Sequence, residues 1–378
     1  MKNFVKLIEQ VHAQRYMKVL NAVVAKKIPV AFLSIDLLDK AVDTVKNFRA
    51  QGLNVTQLIT TFDPCVEADF DVVNLRDADK IYPQPEYIFT NDPYEIDARI
   101  ALKNFPTAKV IIMRDDTDAI YETFMSHLDD LREVYESLID EQSRKTFRGY
   151  WLGNISNRFG EIVHTNAEHY LIDGFIPDAG AVVIDGGLGD GGTAKIFAQT
   201  GYQVYGFEPS RQNFEVARKV AAENNFVAEN LGLGSYKHET TFTQDPNPGA
   251  SKVDPHGTET VKITTLDAYV REKNLRRIDF IKLDVEGAEL DVLRGAVTTI
   301  ASFKPILALS AYHKWDDFWT LTNFVKSIRP DYEFAMRQFV MSREDGAYLF
   351  DANTEKNLDL LGLRPAITNF GECVLFAR

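Results

Sequence analysis

The chain has 378 residues, 45% of them apolar and 26% charged. That composition is ordinary for a soluble globular protein and long enough for two domains. Its 42 Lys and Arg against 55 Asp and Glu leave a formal charge of −13, which argues against a protein that blankets nucleic-acid phosphates or an anionic membrane surface. Two cysteines, Cys65 and Cys373, cannot build a disulfide framework or a thiolate metal cage, so a reducing cytoplasmic setting is expected. Lys6, Glu9 and Arg15 interrupt the amino-terminal apolar residues, and no stretch approaches about 18 apolar residues. Neither a secretory signal nor a membrane span is expected.

In chain order, residues 1–27 carry apolar side chains at helical spacing (Phe4, Leu7, Ile8, Val11). The apolar run at 29–35 reads as a strand, followed by a helix that Gly52 stops. Strands are predicted at 55–62, 69–75, 87–91 and 109–115, with a helix near 94–104. This alternation predicts a small parallel α/β sheet. None of its turns is glycine-rich, so it offers no nucleotide pocket. Residues 117–147 read as one long charged helix with a solvated acidic face, leading into a second domain. The boundary is set at 1–145 and 146–378.

A second α/β alternation begins at 181. AVVID (181–185) is a strand, the glycine-rich turn GGLGDGGT enters a helix, and YQVYGFE (202–208) is the next strand. Pro209 and Ser210 open another helix. FVAENLGLGS holds a third strand and a tight turn, and residues 243–260 read as a long surface loop or a lid. A short helix at TTLDAYVREKN, a strand at 277–284, a helix at VEGAELDVLRGAVTTI and a strand at 304–312 follow. The tail adds a helix at 316–328 and two strands, YEFAMRQFV and ECVLFAR.

The strongest chemical signal is Asp185 followed by Gly186, Gly187, Gly189, Gly191 and Gly192. Glycines let the chain turn sharply and let a ligand approach a helix N-terminus. Glu208 stands 23 residues beyond Asp185 (208 − 185) at the next strand's end, where an acid can accept hydrogen bonds from a ribose diol. Gly187, Gly189 and Gly192 satisfy G-x-G-x-x-G of dinucleotide sites, and the same run satisfies the looser D-x-G-x-G of S-adenosylmethionine (SAM) sites. Asp185 discriminates, because a carboxylate repels a pyrophosphate and attracts an ammonium and a sulfonium. A second signal is IDFIKLDVEGAE (278–289), which sets Asp284 and Glu286 at a strand's carboxyl end. Lys282 is either a partner of a carboxylate or a solvated strand residue.

Together VVIDGG, YGFEPS and IDFIKLDVEGAELDVLRGA resemble the FkbM-type SAM-dependent methyltransferases, as do KPILALSAYHKWDDFW and GECVLFAR in the tail. The resemblance covers roughly 165–378. It implies a Rossmann-like class I domain with a mostly parallel seven-stranded sheet, here preceded by a smaller α/β domain. It implies O-methylation of a saccharide or other hydroxylated metabolite, and S-adenosylhomocysteine as product. Carried over, Asp185, Gly187 and Gly189 surround the methionine part of SAM. Glu208 holds the ribose, Asn230 lies near the adenine, and Asp284 lies beside the methionine end. Many relatives have a single glycine after Asp-x-Gly. The extra glycines and Asp190 depart from that pattern and leave the amide contacts open.

Methyl transfer needs an aligned hydroxyl and a group to take its proton. His313, just past the fifth strand, and Glu286 are the candidate bases, although His313 beside Lys314 and Trp315 also fits a plain surface histidine. Tyr170 either closes over the cofactor or simply packs. His238 and His256 read as solvated. Asp284, Glu286 and Glu289 offer oxygen ligands suited to Mg²⁺, but a metal is not favoured. The expected partner is a small-molecule or saccharide acceptor, with no nucleic acid or membrane. Residues 1–145 are expected to bind that acceptor or to form a homo-oligomer. The alternatives are an NAD(P)-dependent oxidoreductase and a non-catalytic methyltransferase-like binding protein.

Overall fold

A computed structural model describes residues 1–13, 22–34, 38–61, 68–90, 101, 104–112, 117–156, 162–165, 167–243, 252–253, 257, 259–339 and 373–378. By their contacts these fall into two compact units. One comprises Met1–Thr123 with Trp151–Ile162, and the other Phe124–Tyr150, Val163–Phe339 and Gly371–Arg378.

The first unit is a parallel five-stranded sheet. Its strands are β1 (Val30–Ser34), β2 (Val55–Thr60), β3 (Asp71–Asn74), β4 (Tyr87–Thr90) and β5 (Lys109–Ile112), in the order β3-β2-β1-β4-β5. All five lie within the predicted strands. β1 is buried along its whole length, and its side chains alternate between two cores. Ala31 and Leu33 join Ile59, Ile88 and Phe105, whereas Val30 and Phe32 join Leu58, Phe89, Val42 and Val45. A strand covered on both faces reads as a continuous apolar run, which is why VAFLS was legible. Ser34, Thr60, Asn74 and Thr90 end four of the strands and are all buried. The helix expected over 1–27 is seen as Lys2–Ala13 and again at 22–25. Most of the helix expected near 94–104 lies outside the described residues.

The stretch read as one helix over 117–147 is three: Thr117–Ser126, Leu128–Ser137 and Glu141–Ser156. The second break has a tertiary cause. Leu138 bridges to Phe334, and the Ile139 N–H donates to the Phe334 carbonyl at 2.9 Å. Asp140 then accepts from the Ser143 N–H (2.6 Å) and holds Arg337 at 3.0 Å. Against the upward push of burial, Arg337 and the Ser143 contacts keep the Asp140 carboxyl below its ordinary range. This acid is therefore not part of a solvated face.

The main sheet contains β6 (His164–Thr165), β7 (Val182–Gly186), β8 (Gln203–Phe207) and β9 (Val227–Glu229). It also contains β14 (Phe280–Leu283), β15 (Ile306–Ser310), β16 (Phe334–Phe339) and β17 (Cys373–Ala377). The order is β6-β16-β17-β15-β14-β7-β8-β9. β17 runs antiparallel between β15 and β16, and the other pairings are parallel. Without the two-residue β6 this is the seven-stranded, mostly parallel sheet of the expected class. The chain departs from β7 to β8 on one side, and β14 returns on the other. The carboxyl ends of β7 and β14 therefore flank the point where strand order reverses, the usual ligand position in open α/β sheets.

Two expectations fail locally. The segment expected as a loop over 243–260 is not only loop. β11 (His238–Thr243), β12 (Lys252–Val253) and β13 (Glu259–Thr264) join β10 (Gly232–Leu233) in a small sheet, order β10-β13-β11-β12. Its buried side chains are few, Leu233, Val261, Ile263 and Thr264 among the described residues, so the surrounding Pro, Gly and Asp mask it. His256 lies outside the described residues. The helix expected over 285–300 is two, Glu289–Arg294 and Val297–Phe303. The break falls at Gly295, where a Cβ would stand 2.0 Å from the Gly234 carbonyl oxygen, so two backbone segments touch there.

Candidate active site

The carboxyl ends of β7, β8, β14 and β15 converge with the turns that follow them. β7 delivers Asp185 and the glycine turn. Asp185 is fully buried, and Lys282 of β14, also buried, places Nζ 2.9 Å from its Oδ1. The same ammonium donates to the carbonyls of Gly187 (2.7 Å) and Gly186 (3.4 Å). Lys282 was the undecided residue of the sequence, and here it is a carboxylate's partner. Burial would lower its pKa, but Asp185, Asp284 and Glu208 around it keep it above the ordinary value. Burial pushes Asp185 up against the pull of Lys282. Asp185 thus lies beneath the turn, held by Lys282.

The turn's amides are engaged within the protein. The N–H groups of Gly187 and Leu188 donate to the Phe207 carbonyl (3.1 and 2.9 Å), and that of Gly189 to Glu208 Oε2 (2.9 Å). The Gly191 N–H donates to the Leu188 carbonyl, and the Gly192 N–H to Asp190 Oδ1, both at 2.9 Å. Asp190, the acid that departed from the family pattern, thereby serves the first amide of the helix Gly192–Gln199. Gly187 has φ +82°, and a Cβ there would lie 1.7 Å from the Asp284 carbonyl oxygen. Gly189 has φ +57° and open space where its Cβ would be.

Glu208 is 5% exposed. Its Oε1 accepts from the Ser210 N–H at 2.9 Å, while burial pushes its carboxyl up to about 7. Asn230 does not extend away from this acid. Its Nδ2 donates to the carbonyls of Glu208 (2.9 Å) and Pro209 (3.0 Å), so it pins the backbone that carries Glu208.

Across the turn, Asp284 receives one tyrosine hydroxyl on each oxygen: Tyr170 on Oδ2 (3.0 Å) and Tyr312 on Oδ1 (3.2 Å). Burial raises the Asp284 pKa, but Lys282 and His313 more than offset it and hold the carboxyl low. Tyr170 sits at φ +62° and Glu286 at φ +54°. Non-glycine residues in that region are strained, and such strain gathers at functional sites. The turn through Glu286 and Gly287 carries the Glu286 carboxylate to His313, Oε2 to Nε2 at 3.3 Å. Burial pushes Glu286 upward.

His313 is 10% exposed and is ringed by acids. Its Nδ1 lies 2.9 Å from Glu289 Oε1 and its Nε2 3.5 Å from Asp284 Oδ1. Burial opposes the charged form, yet Glu286 and Glu289 lift its pKa to about 11. The surrounding acids therefore favour the cationic imidazole near neutrality. The structure thus joins Asp284, Glu286, Glu289 and His313, which the sequence had divided between cofactor, base and metal roles.

The FkbM methyltransferase domain family matches residues 178–346. That matched segment, under half of the chain, is similar to an FkbM methyltransferase domain. The chain is also similar to the hexuronic acid methyltransferase AglP of Haloferax volcanii, 29% identical over 117 residues, which is 29% of this chain and 48% of that protein. It thus spans about half the length of that curated relative. Among solved structures, methyltransferase FkbM from Methylobacillus flagellatus KT superposes with a TM-score of 0.68 at 16% identity. That match covers 95% of this chain and 93% of that one. At that identity the likeness concerns the fold, and it extends through both units.

Within residues 178–346, sequence reasoning missed Tyr312 and the part played by Glu289. Tyr312 precedes His313 in SAYH, and its alternation with buried Ala311 was the available signal. Glu289 was read at helical spacing from Glu286, yet it is fully buried. Among the described residues no helix is long and apolar enough to cross a membrane.

Proposed function

We propose that the FkbM-like domain binds SAM at the glycine turn and transfers its methyl group to a hydroxyl of a saccharide or similar metabolite. One observation carries the choice of cofactor. The amides of Gly187, Leu188, Gly189, Gly191 and Gly192 are already hydrogen-bonded inside the protein, and Lys282, buried beneath the turn, is occupied with Asp185. What lies beside the turn is acidic, Glu208 at Gly189 and Asp284 at Gly187. That favours a ligand bearing an ammonium and a sulfonium over one bearing phosphates. The donor set therefore fits SAM.

When bound, SAM supplies a methyl group on a positive sulfur, and the electron pair of the breaking C–S bond stays on sulfur as a thioether. Glu208 would accept the ribose hydroxyls, with Asn230 fixing its backbone. Asp284, steadied by Tyr170 and Tyr312, would face the methionine end. Glu286 is the proposed base, taking the acceptor's hydroxyl proton as the oxygen bonds to the methyl carbon. It is a partly exposed carboxylate on a strained turn, and His313 beside it would orient it. This narrows the base to Glu286 and makes His313 a positioning residue.

The saccharide class is supported by the similarity to the hexuronic acid methyltransferase over 117 residues. The buried hydroxyl and amide side chains that end the strands of the first unit support a role for that unit in holding a hydroxylated ligand. The cysteine content supports a cytoplasmic setting. Calorimetry with SAM, S-adenosylhomocysteine and NADH tests the reading. SAM and its product bind and NADH does not, and a labelled-methyl assay on glycan fractions transfers label to oxygen. A folded chain that binds NADH and ignores SAM would sink it.

A further inference from the structure

We propose that the FkbM-like domain has a divalent transition-metal site made by Asp284, Glu289 and His313. One ligand atom from each lies within 4.8 Å of the other two. Around one ion with bonds of about 2.0–2.2 Å, such atoms stand roughly 3 Å apart.

The cluster differs from a group of surface acids in two ways. Glu289 is fully buried, and its Oε2 has no hydrogen-bond partner, although its Oε1 accepts from the Val285 N–H at 2.9 Å and holds the imidazole. His313 is nine-tenths buried. Its Nε2 stands 3.5 Å from Asp284 and 3.3 Å from Glu286 without an aligned hydrogen bond to either. Buried polar atoms are nearly always satisfied. A buried carboxylate oxygen left without a partner in an acidic cluster calls for a cation.

The donor set selects the ion. Carboxylates alone would suit Mg²⁺ or Ca²⁺, but an imidazole among them shifts preference toward Mn²⁺, Fe²⁺ or Zn²⁺. The ligand set stands on these side chains by itself. A role for the ion in holding the acceptor's hydroxyl oxygen next to Glu286 rests on the methyltransferase reading above.

The test titrates the full chain with MnCl₂ without SAM, following Mn²⁺ by electron paramagnetic resonance and the protein by thermal melting. One ion binds per chain and raises the melting temperature. His313→Gln weakens Mn²⁺ binding by about tenfold or more, while Glu286→Gln leaves it within about twofold. Should Asp284→Asn or Glu289→Gln fail to fold, the wild-type titration and His313→Gln still decide. A chain that binds SAM but not Mn²⁺, its histidine holding only a proton, overturns the metal site and leaves methyl transfer intact. Binding that His313→Gln does not weaken overturns it as well. A chain that binds Mn²⁺ but not SAM overturns the cofactor reading alone.

Discussion

Lys282 Nζ and Asp185 Oδ1 lie 2.9 Å apart beneath the glycine turn, with both side chains almost wholly buried. A buried pair adds little over apolar residues, but removing one partner strands the other charge. Lys282→Met is therefore expected to cost about 3–5 kcal/mol, and the double variant Lys282→Met with Asp185→Leu markedly less. Urea denaturation of the two variants measures the difference. Asp185→Ala alone is expected to abolish SAM binding, because the unpaired lysine then disturbs the turn it supports.

Gly187 and Gly189 make opposite predictions. Alanine at 187 forces a methyl group onto the Asp284 carbonyl at a positive φ. It should lower the melting temperature and cost about 3 kcal/mol. Alanine at 189 meets nothing in the protein and bears only the penalty of its left-handed backbone, about 1–2 kcal/mol. Its methyl points into the proposed ligand face, so calorimetry should find SAM affinity reduced in a folded protein.

Glu208 sets a pH dependence. Burial raises its carboxyl from about 4.5 to about 7 in the folded protein, so it is protonated below neutrality. If the ionised acid accepts the ribose hydroxyls, SAM affinity is full at pH 8 and falls as pH drops through 7, by up to about tenfold per unit. The same raised pKa means that this group's contribution to stability is complete below about 4.5 and is lost as pH rises through 7. Glu208→Gln should flatten the affinity profile between pH 6 and 8. An unchanged slope in that variant would remove Glu208 from the ribose contact.

Tyr170 and Tyr312 divide the two oxygens of Asp284. Tyr170→Phe leaves Oδ2 short of a donor and is expected to cost about 1–3 kcal/mol, together with weaker SAM binding. Equilibrium unfolding and calorimetry on that one variant read both effects.

Glu286→Gln should leave SAM binding within about twofold while lowering kcat by about 10²–10⁴-fold, the usual contribution of a positioned base. His313→Gln should change kcat less and should shift the pH profile, since His313 acts on Glu286. Single-turnover methyl transfer across pH separates the two variants.

The seven-stranded sheet was legible because AVVID and the buried runs at 280–283 and 306–310 are mostly apolar, YQVYGFE is apolar on its buried face, and these runs are punctuated by Gly and Pro. The glycine turn and the acids at strand ends were legible for the same local reason. The small sheet of β10 to β13 was not, since its strands bury too little to stand out from polar neighbours. The breaks at 138–140 and at Gly295 come from contacts with Phe334 and Gly234, residues far away in sequence that no local window contains.

The sequence by itself determined the alternation of strands and helices, the position of the glycine turn and the acidic character of the cleft, because each depends on neighbours a few residues apart. Only the tertiary structure decided what those acids face. Asp185 turns inward to Lys282, the turn's amides are engaged within the protein, and His313 is enclosed by Asp284, Glu286 and Glu289. Burial and opposing charges across β7, β14 and β15 settle each of these, and neither can be read along one strand.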